Sequence, residues 1–379
     1  MAQTGGGLLR LGVKAALVDG RLVDGDLTID DGVITAVGVE PAGAEGIAVP
    51  GFVDLHLNGI AGVDFLTADP SDYDRAGEAL ARTGVVAYQP SFVSSPEDAY
   101  TEPLASAREA AAGAPTKGLP RICGVHLEGP FLSPEWPGAH EPEYLQLPDP
   151  RLAERLLAGG VVTMMTLAPE LPGALELVEW LVARGVVVSC GHSDADAEQA
   201  HAAFDRGARA ITHIHNAHRR WRPRDPGVGG AALVRADVTV QAIVDDVHLA
   251  PESAHGVLLA AGRRFCLVSD AIEAAMLEAG EYELGGRAVR VRDGAVRLPD
   301  GRLAGSVLTM DQAVRNLVAG GASMPDAVYA ASAAPAALLG RDDLGELLPG
   351  RPAHIAVLDD ELRVQRTLVG GAEALSASA

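Results

Sequence analysis

Short apolar runs rich in β-branched residues recur through the middle of the chain and alternate with stretches of helical spacing. The apolar runs are residues 52–57, 85–89, 121–127, 161–167, 185–190, 209–214, 238–244 and 265–269. Segments rich in Ala, Leu, Glu and Arg lie between several of them, at 71–83, 97–112, 151–158, 172–184 and 194–206. Strand–helix alternation predicts a parallel sheet, and eight strands within about 220 residues are typical of an α/β fold of the (β/α)8 or TIM-barrel type.

Both ends of the chain follow a different pattern. Residues 8–50 alternate short β-like runs with turn signals at Asp19-Gly20, Asp24-Gly25 and Asp31-Gly32, which is typical of antiparallel hairpins. Residues 350–370 are similarly β-rich, with apolar runs at 355–358 and 364–369. We therefore predict a small β domain formed jointly by residues 1–50 and 346–379, and a barrel domain over residues 51–345.

Composition and charge narrow the function classes. The 379 residues are 48% hydrophobic and 21% charged, which is ordinary globular composition. The formal charge of -21 gives an acidic surface, which argues against nucleic-acid and membrane-surface roles. No apolar stretch approaches the roughly 18 residues of a membrane helix, and we expect a soluble, cytoplasmic protein. Cys123, Cys190 and Cys266 lie in separate apolar runs and are expected to be buried free thiols.

Polar residues follow the carboxyl ends of six of the apolar runs. These polar segments are residues 54–58, 126–128, 192–193, 212–216, 245–248 and 269–270. A barrel brings the carboxyl ends of all eight strands to one mouth, so we expect these side chains to meet there.

Three of these residues form a candidate metal site. Glu128, His192 and His213 supply one carboxylate and two imidazoles, a set suited to a divalent transition metal. Zinc is the simplest choice, and iron, cobalt and manganese remain open because such a site accepts several ions. Asp270 follows the last apolar run, and a carboxylate beside an activated water can accept its proton and deliver it to a leaving amine.

Each of these residues also has a purely structural interpretation. A single histidine at a strand end is more often a hydrogen-bonded structural residue than a ligand, and only the joint arrangement favours a metal. The histidines that keep the structural interpretation are His126, His201, His215 and His255. Asp54 and Asp64 can be cap or turn residues. Trp136 and Trp221 can form a substrate wall or pack within their own loops.

A series of short segments along nearly the whole chain follows the pattern of one family. The first four are PGFVD at 50–54, HLEGPF at 126–131, GAH at 138–140 and GHS at 191–193. The others are TH at 212–213, NA at 216–217, RDPG at 224–227 and LAGSVLTM at 303–310. In these segments the chain resembles the amidohydrolase superfamily and, more narrowly, its N-acetylglucosamine-6-phosphate deacetylase family.

The resemblance implies a TIM barrel with a small β-sandwich built from both termini. It implies metal-dependent hydrolysis of the acetamide of N-acetylglucosamine 6-phosphate, with Glu128, His192 and His213 as metal ligands. In this family's pattern Asp270 is the general acid/base, and His140 helps to polarise the acetyl carbonyl.

The resemblance also implies a set of substrate-binding residues and a homodimer. The implied substrate-binding residues are Ala139, His140, Asn216, Ala217, Arg224, Asp245, His248, Leu303, Ala304 and Gly305. Arg224 and His248 match the residues that hold the 6-phosphate, typically in a site shared between two subunits. The planar fork of an arginine suits a phosphate because it donates two hydrogen bonds at once.

The first strand departs from the superfamily pattern. It carries His56-x-Asn58 where many members have His-x-His, so we expect one essential metal, with His56 contributing only to a weak second site. Lys14 and Lys117 are the only lysines, and neither ends the fourth strand. A carbamylated lysine bridging two metals is therefore excluded.

A loop near the mouth also departs from the family pattern, so the identity of the substrate stays undecided. Residues 218–221 read HRRW where the family usually has Met, and Asp246 replaces a usual Gly. The extra arginines either strengthen an anion site or are solvated surface residues. The alternative substrate is a related N-acyl amino sugar or its phosphate, such as N-acetylgalactosamine 6-phosphate. A non-catalytic binding protein is a third hypothesis, which the intact candidate site disfavours.

Overall fold

The computed structural model describes residues 8–376, and a parallel barrel occupies its centre. The eight barrel strands, numbered below in this order, are Phe52–Leu57, Val85–Phe92, Val125–Glu128, Val162–Leu167, Val187–Cys190, Ala210–Ile211, Thr239–Ala242 and Phe265–Leu267. Neighbouring strands pair in parallel. A parallel bridge between Leu57 and Ala271 links the end of strand 1 to the chain beyond strand 8. The predicted (β/α)8 barrel is confirmed.

Helices follow most barrel strands, and each of the five predicted helical stretches overlaps one. The α-helices are Pro70–Ala81, Thr101–Lys117, Pro150–Leu157, Ala174–Val182, Ala197–Asp205, Gly227–Leu233, Pro251–Ala261, Met310–Ala319, Met324–Ala331 and Ala333–Leu338. Short 3-10 turns are Glu97–Tyr100, Pro142–Tyr144 and Gly262–Arg264. Asp69 and Asp196 begin two of the helices with reciprocal side-chain caps. No helix between residues 8 and 376 is both long and apolar enough to cross a membrane.

Strands from both ends of the chain share one six-stranded sheet. Its order is Ala372–Ser376, Val364–Val369, Ile355–Leu358, Glu45–Pro50, Val13–Val18 and Arg21–Asp24. A three-stranded antiparallel sheet of Leu9–Arg10, Asp26–Asp30 and Val33–Val39 faces it across a shared apolar core that includes Leu27, Ile34 and Ile355. The boundaries at residues 50 and 345 stay predictions.

One predicted hairpin in this region is wrong. Asp24-Gly25 does not turn a hairpin, because strand Arg21–Asp24 pairs only with Val13–Val18, whereas the next strand pairs in the other sheet. The chain crosses between the two sheets at this point. Asp19-Gly20 and Asp31-Gly32 do join antiparallel strand pairs, as predicted.

A second antiparallel sheet beside the barrel mouth was not predicted. It consists of Gly280–Leu284, Arg287–Arg292 and Ala295–Arg297, and we call it the mouth sheet. Its alternating residues and its turn signals at 285–286 and 293–294 are typical of hairpins and could have identified it. The remaining short strands are Gly59–Ile60, Val63–Asp64 and Arg121–Ile122. All three cysteines are buried free thiols, as expected.

Asp26 joins the strands of the terminal sheets through a buried carboxylate. Its Oδ1 accepts main-chain N–H groups of Gly12, Val13 and Leu27 at 2.8, 3.1 and 2.8 Å. Its Oδ2 accepts from Nε of Arg10 at 3.0 Å. Because the carboxylate is 2% exposed, these donors have no ready substitute in water.

We expect Asp26→Ala to lower the free energy of unfolding by about 2–4 kcal/mol, because three main-chain N–H groups, two of them buried, lose their acceptor. Urea denaturation measures the change, and hydrogen exchange of residues 10–28 locates it. Asp30→Ala is the matched control, since Asp30 ends the same strand and is exposed. Equal stability of the two variants would contradict the assigned role.

Candidate active site

A cavity of about 690 Å³ opens at the carboxyl ends of the barrel strands. The predicted metal ligands Glu128, His192 and His213 line it together with His140 and Asp270. The predicted substrate-binding residues that also line it are Ala139, Asn216, Ala217, His248, Leu303 and Gly305. Three others do not line it. Ala304 is fully buried, and Asp245 lies behind His248, to which it is hydrogen-bonded. Arg224 is exposed outside the cavity.

The three predicted metal ligands form a small buried triangle. Oε1 of Glu128 lies 3.0 Å from Nε2 of His192 and 3.0 Å from Nε2 of His213, and the two nitrogens are 3.2 Å apart. Ligand atoms about 2.0–2.1 Å from one tetrahedral ion are separated by about 3.3 Å. The triangle therefore has the size that a divalent transition metal requires.

The protonation states of Glu128 and His192 also suit a metal. Nδ1–H of His192 donates to the main-chain carbonyl of Trp136 at 2.9 Å, which leaves Nε2 as a lone pair. Burial lowers the pKa of His192 to about 4, so the ring is neutral at pH 7. Burial opposes the ionisation of Glu128, but His56, His192 and His140 hold its pKa well below the usual range. A carboxylate and neutral imidazoles are the forms that bind metals.

His140 competes with His213 for the role of third ligand on distance alone. Ligand atoms of Glu128, His140 and His192 lie within 4.8 Å of one another. However, the main-chain N–H of Ser94 donates to Nδ1 of His140 at 3.1 Å, so the proton of the neutral ring resides on Nε2. That nitrogen lies 3.2 Å from Oε2 of Glu128 and acts as a donor. We therefore favour His213 as the ligand and His140 as a hydrogen-bond donor.

Asp270 is held at the mouth by His56 of strand 1 and by Asn58 just after that strand. Its Oδ1 accepts from Nδ2 of Asn58 at 2.8 Å, and its main-chain N–H donates to the carbonyl of His56. Asn58 marks the departure from His-x-His, and here it orients the carboxylate predicted to carry protons. Gly305 approaches closely with a φ of +67°, and a Cβ there would lie 2.9 Å from the carbonyl oxygen of Asp270.

His56 lies between two carboxylates. Its Nε2 is 3.5 Å from Oε2 of Glu128 and 3.3 Å from Oδ1 of Asp270. Although burial opposes protonation, these carboxylates raise the pKa of His56 to about 9. His56 therefore contacts both Glu128 and the predicted proton carrier Asp270.

Four of the predicted site residues other than glycine adopt left-handed backbone conformations. The φ angles are +50° at His192, +30° at His213, +49° at Ala217 and +49° at Asp270. Such conformations are uncommon for residues other than glycine and cost on the order of 1–3 kcal/mol each. Their concentration at the ends of strands 5, 6 and 8 is typical of functional sites.

The hydrogen bonds of His126 agree with the structural role that the sequence analysis gave it. Its Nδ1 lies 2.9 Å from Oγ of Ser91, and its Nε2 lies 2.8 Å from Oγ1 of Thr166. Hydrogen bonds continue from Thr166 to Thr212 at 2.8 Å and from Thr212 to Ser189 at 2.6 Å. This buried chain links strands 2 to 6 directly below the candidate metal site.

His248 and the loop at residues 218–221 line another part of the cavity. Nδ1 of His248 donates to Oδ2 of Asp245 at 2.7 Å, so Asp245 orients the ring. Arg219 and Arg220 both line the cavity, and Arg219 is paired with Asp225 at 2.9 Å, whereas Arg220 is exposed. Asp246 has a φ of +63°, a conformation that glycine adopts freely, which explains why glycine suits this position. Trp136 and Trp221 both line the cavity.

Comparison with known proteins identifies the family. A model of the amidohydrolase family matches residues 47–375. This chain belongs to the amidohydrolase family. It is similar to an N-acetylgalactosamine-6-phosphate deacetylase of Escherichia coli O157:H7, with 36% identity over 93% of this chain and 95% of that protein. It is also similar to an N-acetylglucosamine-6-phosphate deacetylase of Bacillus subtilis (strain 168), with 32% identity over 92% of each.

A solved structure gives the same result. A mutant N-acetyl-D-glucosamine-6-phosphate deacetylase from Mycobacterium smegmatis, in complex with N-acetyl-D-glucosamine-6-phosphate, has a TM-score of 0.91 and 33% identity. The match covers 98% of this chain and 100% of that one. The resemblance found in the sequence is confirmed, and this amidohydrolase is a hydrolase. The family typically binds a divalent metal, and the buried cluster around Glu128 could hold one.

The sequence pattern did not reveal the groups that orient the predicted catalytic residues of this amidohydrolase. Ser94 acts on His140 through a main-chain N–H, and Trp136 acts on His192 through a carbonyl. Main-chain groups carry no residue-type signal. Asn58 was visible as a polar residue at a strand end, but its partner lies 212 positions away.

We expect His213→Asn to reduce the metal affinity of this amidohydrolase by more than about 100-fold, because one of three ligands is lost. Metal content after dialysis against a weak chelator, measured by mass spectrometry, gives the result. His215→Asn is the matched control, since His215 is exposed two residues later in the same loop. Full metal content in the His213 variant would show that another residue is the ligand.

Proposed function

We propose that this amidohydrolase hydrolyses the acetamide of N-acetylglucosamine 6-phosphate to glucosamine 6-phosphate and acetate. The observation that carries the proposal is the convergence of Glu128, His192 and His213 with Asp270 and His140 on one cavity. Metal-dependent amide hydrolysis uses a set of metal ligands, a carboxylate that carries a proton, and a hydrogen-bond donor to the carbonyl oxygen. The names of the similar proteins support the substrate class.

We propose zinc as the metal, one ion per subunit, held by Glu128, His192 and His213. Two imidazoles and a carboxylate suit zinc, although iron, cobalt and manganese are compatible with the same ligands. Such an ion polarises the acetyl carbonyl and lowers the pKa of a neighbouring water.

Asp270 is the proposed proton carrier. Its Oδ1 is engaged by Asn58, so proton transfer falls to Oδ2. This oxygen accepts a proton as water adds to the acetyl carbon, and it returns that proton to the sugar nitrogen as the C–N bond breaks. The products are acetate and a free amine.

His140 is the proposed donor to the acetyl oxygen. Its Nε2–H points at Oε2 of Glu128 in the free protein, and Ser94 keeps the proton on that nitrogen. In the complex this N–H stabilises the negative charge that develops on the acetyl oxygen.

Asn216, Ala217, Leu303 and Gly305 are the proposed contacts to the sugar, because they line the same cavity. We propose that His248, oriented by Asp245, contacts the 6-phosphate. Arg224 is exposed and lies outside its own subunit's cavity. This position supports a homodimer in which Arg224 of the partner subunit completes the phosphate site.

N-acetylgalactosamine 6-phosphate is the second candidate substrate. One argument for it is the 36% identity to a protein named for that reaction. The other is the loop at residues 218–221, which differs from the family pattern and whose Arg220 and Trp221 line the cavity. The two sugars differ only in the configuration of one hydroxyl group, so contacts from this loop can decide between them.

Acetate release from metal-reconstituted protein tests the function. We expect turnover of N-acetylglucosamine 6-phosphate with kcat/KM in the usual range of about 10⁴ M⁻¹s⁻¹ or more, and much weaker turnover of the unphosphorylated sugar. N-acetylgalactosamine 6-phosphate is assayed in parallel. A higher kcat/KM for that sugar would transfer the assignment to the second candidate, and no acetate from any of the three would overturn the deacetylase proposal.

We expect Asp270→Asn to lower kcat by about 10²–10⁴-fold with metal content unchanged, because the amide cannot carry the proton. Steady-state kinetics combined with metal analysis measures both quantities. Asp246→Asn is the matched control, an exposed carboxylate of the strand 7 loop. Near-normal kcat in the Asp270 variant would show that another group transfers the proton.

A further inference from the structure

We propose that Arg287 of the mouth sheet is a positioning residue that sets the His140 ring by holding the main chain on either side of it. This inference rests on the proposed role of His140 as donor to the acetyl oxygen. The mouth sheet contributes none of the predicted catalytic or substrate-binding residues. Its position beside the barrel mouth therefore calls for another explanation.

One guanidinium group holds three consecutive residues. Nη1 of Arg287 donates to the carbonyl oxygens of Ala139 and His140 at 3.0 and 3.1 Å. Nε of the same side chain lies 2.9 Å from Oε2 of Glu141. Arg302, which follows the mouth sheet, donates to the carbonyl of Gly138 at 2.7 Å. Arg287 of the mouth sheet and Arg302 just after it thus bind the carbonyls of all three residues 138–140.

The mouth sheet also supports the residue on the other side of the ring. Val93 belongs to the same apolar cluster as Leu284 and Val289 of the mouth sheet, and Ala139 packs against this cluster. Val93 immediately precedes Ser94, whose N–H and Oγ lie 3.1 and 3.0 Å from Nδ1 of the His140 ring. The segment that carries the ring and the segment that determines its tautomer therefore rest on the same sheet.

His140 needs such support because no barrel strand carries it. The predicted metal ligands and Asp270 lie at or just beyond strand ends, whereas the chain between Glu128 and Pro150 contains only the 3-10 turn Pro142–Tyr144. An error of about 1 Å in the placement of a catalytic donor can reduce turnover by about 100-fold. A planar guanidinium can bind two carbonyls and a carboxylate together, which the single ammonium group of lysine cannot do with the same geometry.

Kinetics of the holoenzyme separates positioning from substrate binding. We expect Arg287→Ala to lower kcat by about 10–100-fold, with KM within about threefold and metal content unchanged. Arg287→Lys should give an intermediate loss, and it provides the test if the alanine variant does not fold. Arg290→Ala is the matched control, because Arg290 lies on the same strand and is 71% exposed. A rise in KM with kcat unchanged would overturn the proposal.

A double variant tests whether Arg287 acts through His140. In a His140→Asn background, we expect Arg287→Ala to change kcat by less than about threefold, since the group that it positions is already lost. Effects that multiply in the double variant would overturn the proposal, because they would show that Arg287 acts elsewhere.

Nuclear magnetic resonance of the holoenzyme with ¹⁵N-labelled histidine gives a readout that does not depend on activity. The His140 ring signals are assigned from their absence in His140→Asn, and we expect them to shift or broaden in Arg287→Ala and not in Arg290→Ala. An unchanged ring spectrum would overturn the positioning role. Failure of the proposed function is distinct, because it is seen as absent acetate release by the unmodified protein.

Discussion

Glu128 is an ionised carboxylate inside the barrel, in contact with four imidazoles. His192 and His213 lie 3.0 Å from one oxygen, and His140 and His56 lie 3.2 and 3.5 Å from the other. A buried charge is costly unless partners surround it. His140 and His56 stabilise Oε2, whereas Oε1 faces two imidazole nitrogens of the predicted metal ligands, an arrangement that a shared metal ion would hold together.

The four imidazoles are kept in different states by their outer contacts. The carbonyl of Trp136 leaves Nε2 of His192 with a lone pair on the side that faces Glu128, whereas the amide of Ser94 makes His140 a proton donor. Although burial opposes protonation, the carboxylates of Glu128 and Asp270 raise the pKa of His56. Residues of one type thus obtain three chemical roles, and the difference lies in the groups behind the rings rather than in the rings themselves.

The acidic chain also has to accept an anionic substrate under the proposed function. With a formal charge of -21, the surface as a whole repels phosphate. Arg220 brings a positive charge into the cavity lining, whereas Arg302, which also lines the cavity, is paired with Asp300 at 2.7 Å. Arg219 is neutralised by Asp225 and Asp194, so of the two loop arginines Arg220 is the one whose charge faces the cavity unshared by such a pair.

The sequence by itself determined the barrel and the candidate ligands. Apolar runs are local signals, and parallel topology brings their carboxyl ends together, so Glu128, His192, His213 and Asp270 could be placed at one mouth before any coordinates. Only the tertiary structure decided what surrounds them: the bond from Asn58 to Asp270 spans 212 positions, and Arg287 meets His140 across 147. Periodicity reports which face of an element is buried, but not which distant group faces it. The histidine tautomers, the left-handed backbone at the site and the hydrogen bonds from the mouth sheet depend on those distant contacts. For that reason only the tertiary structure shows them.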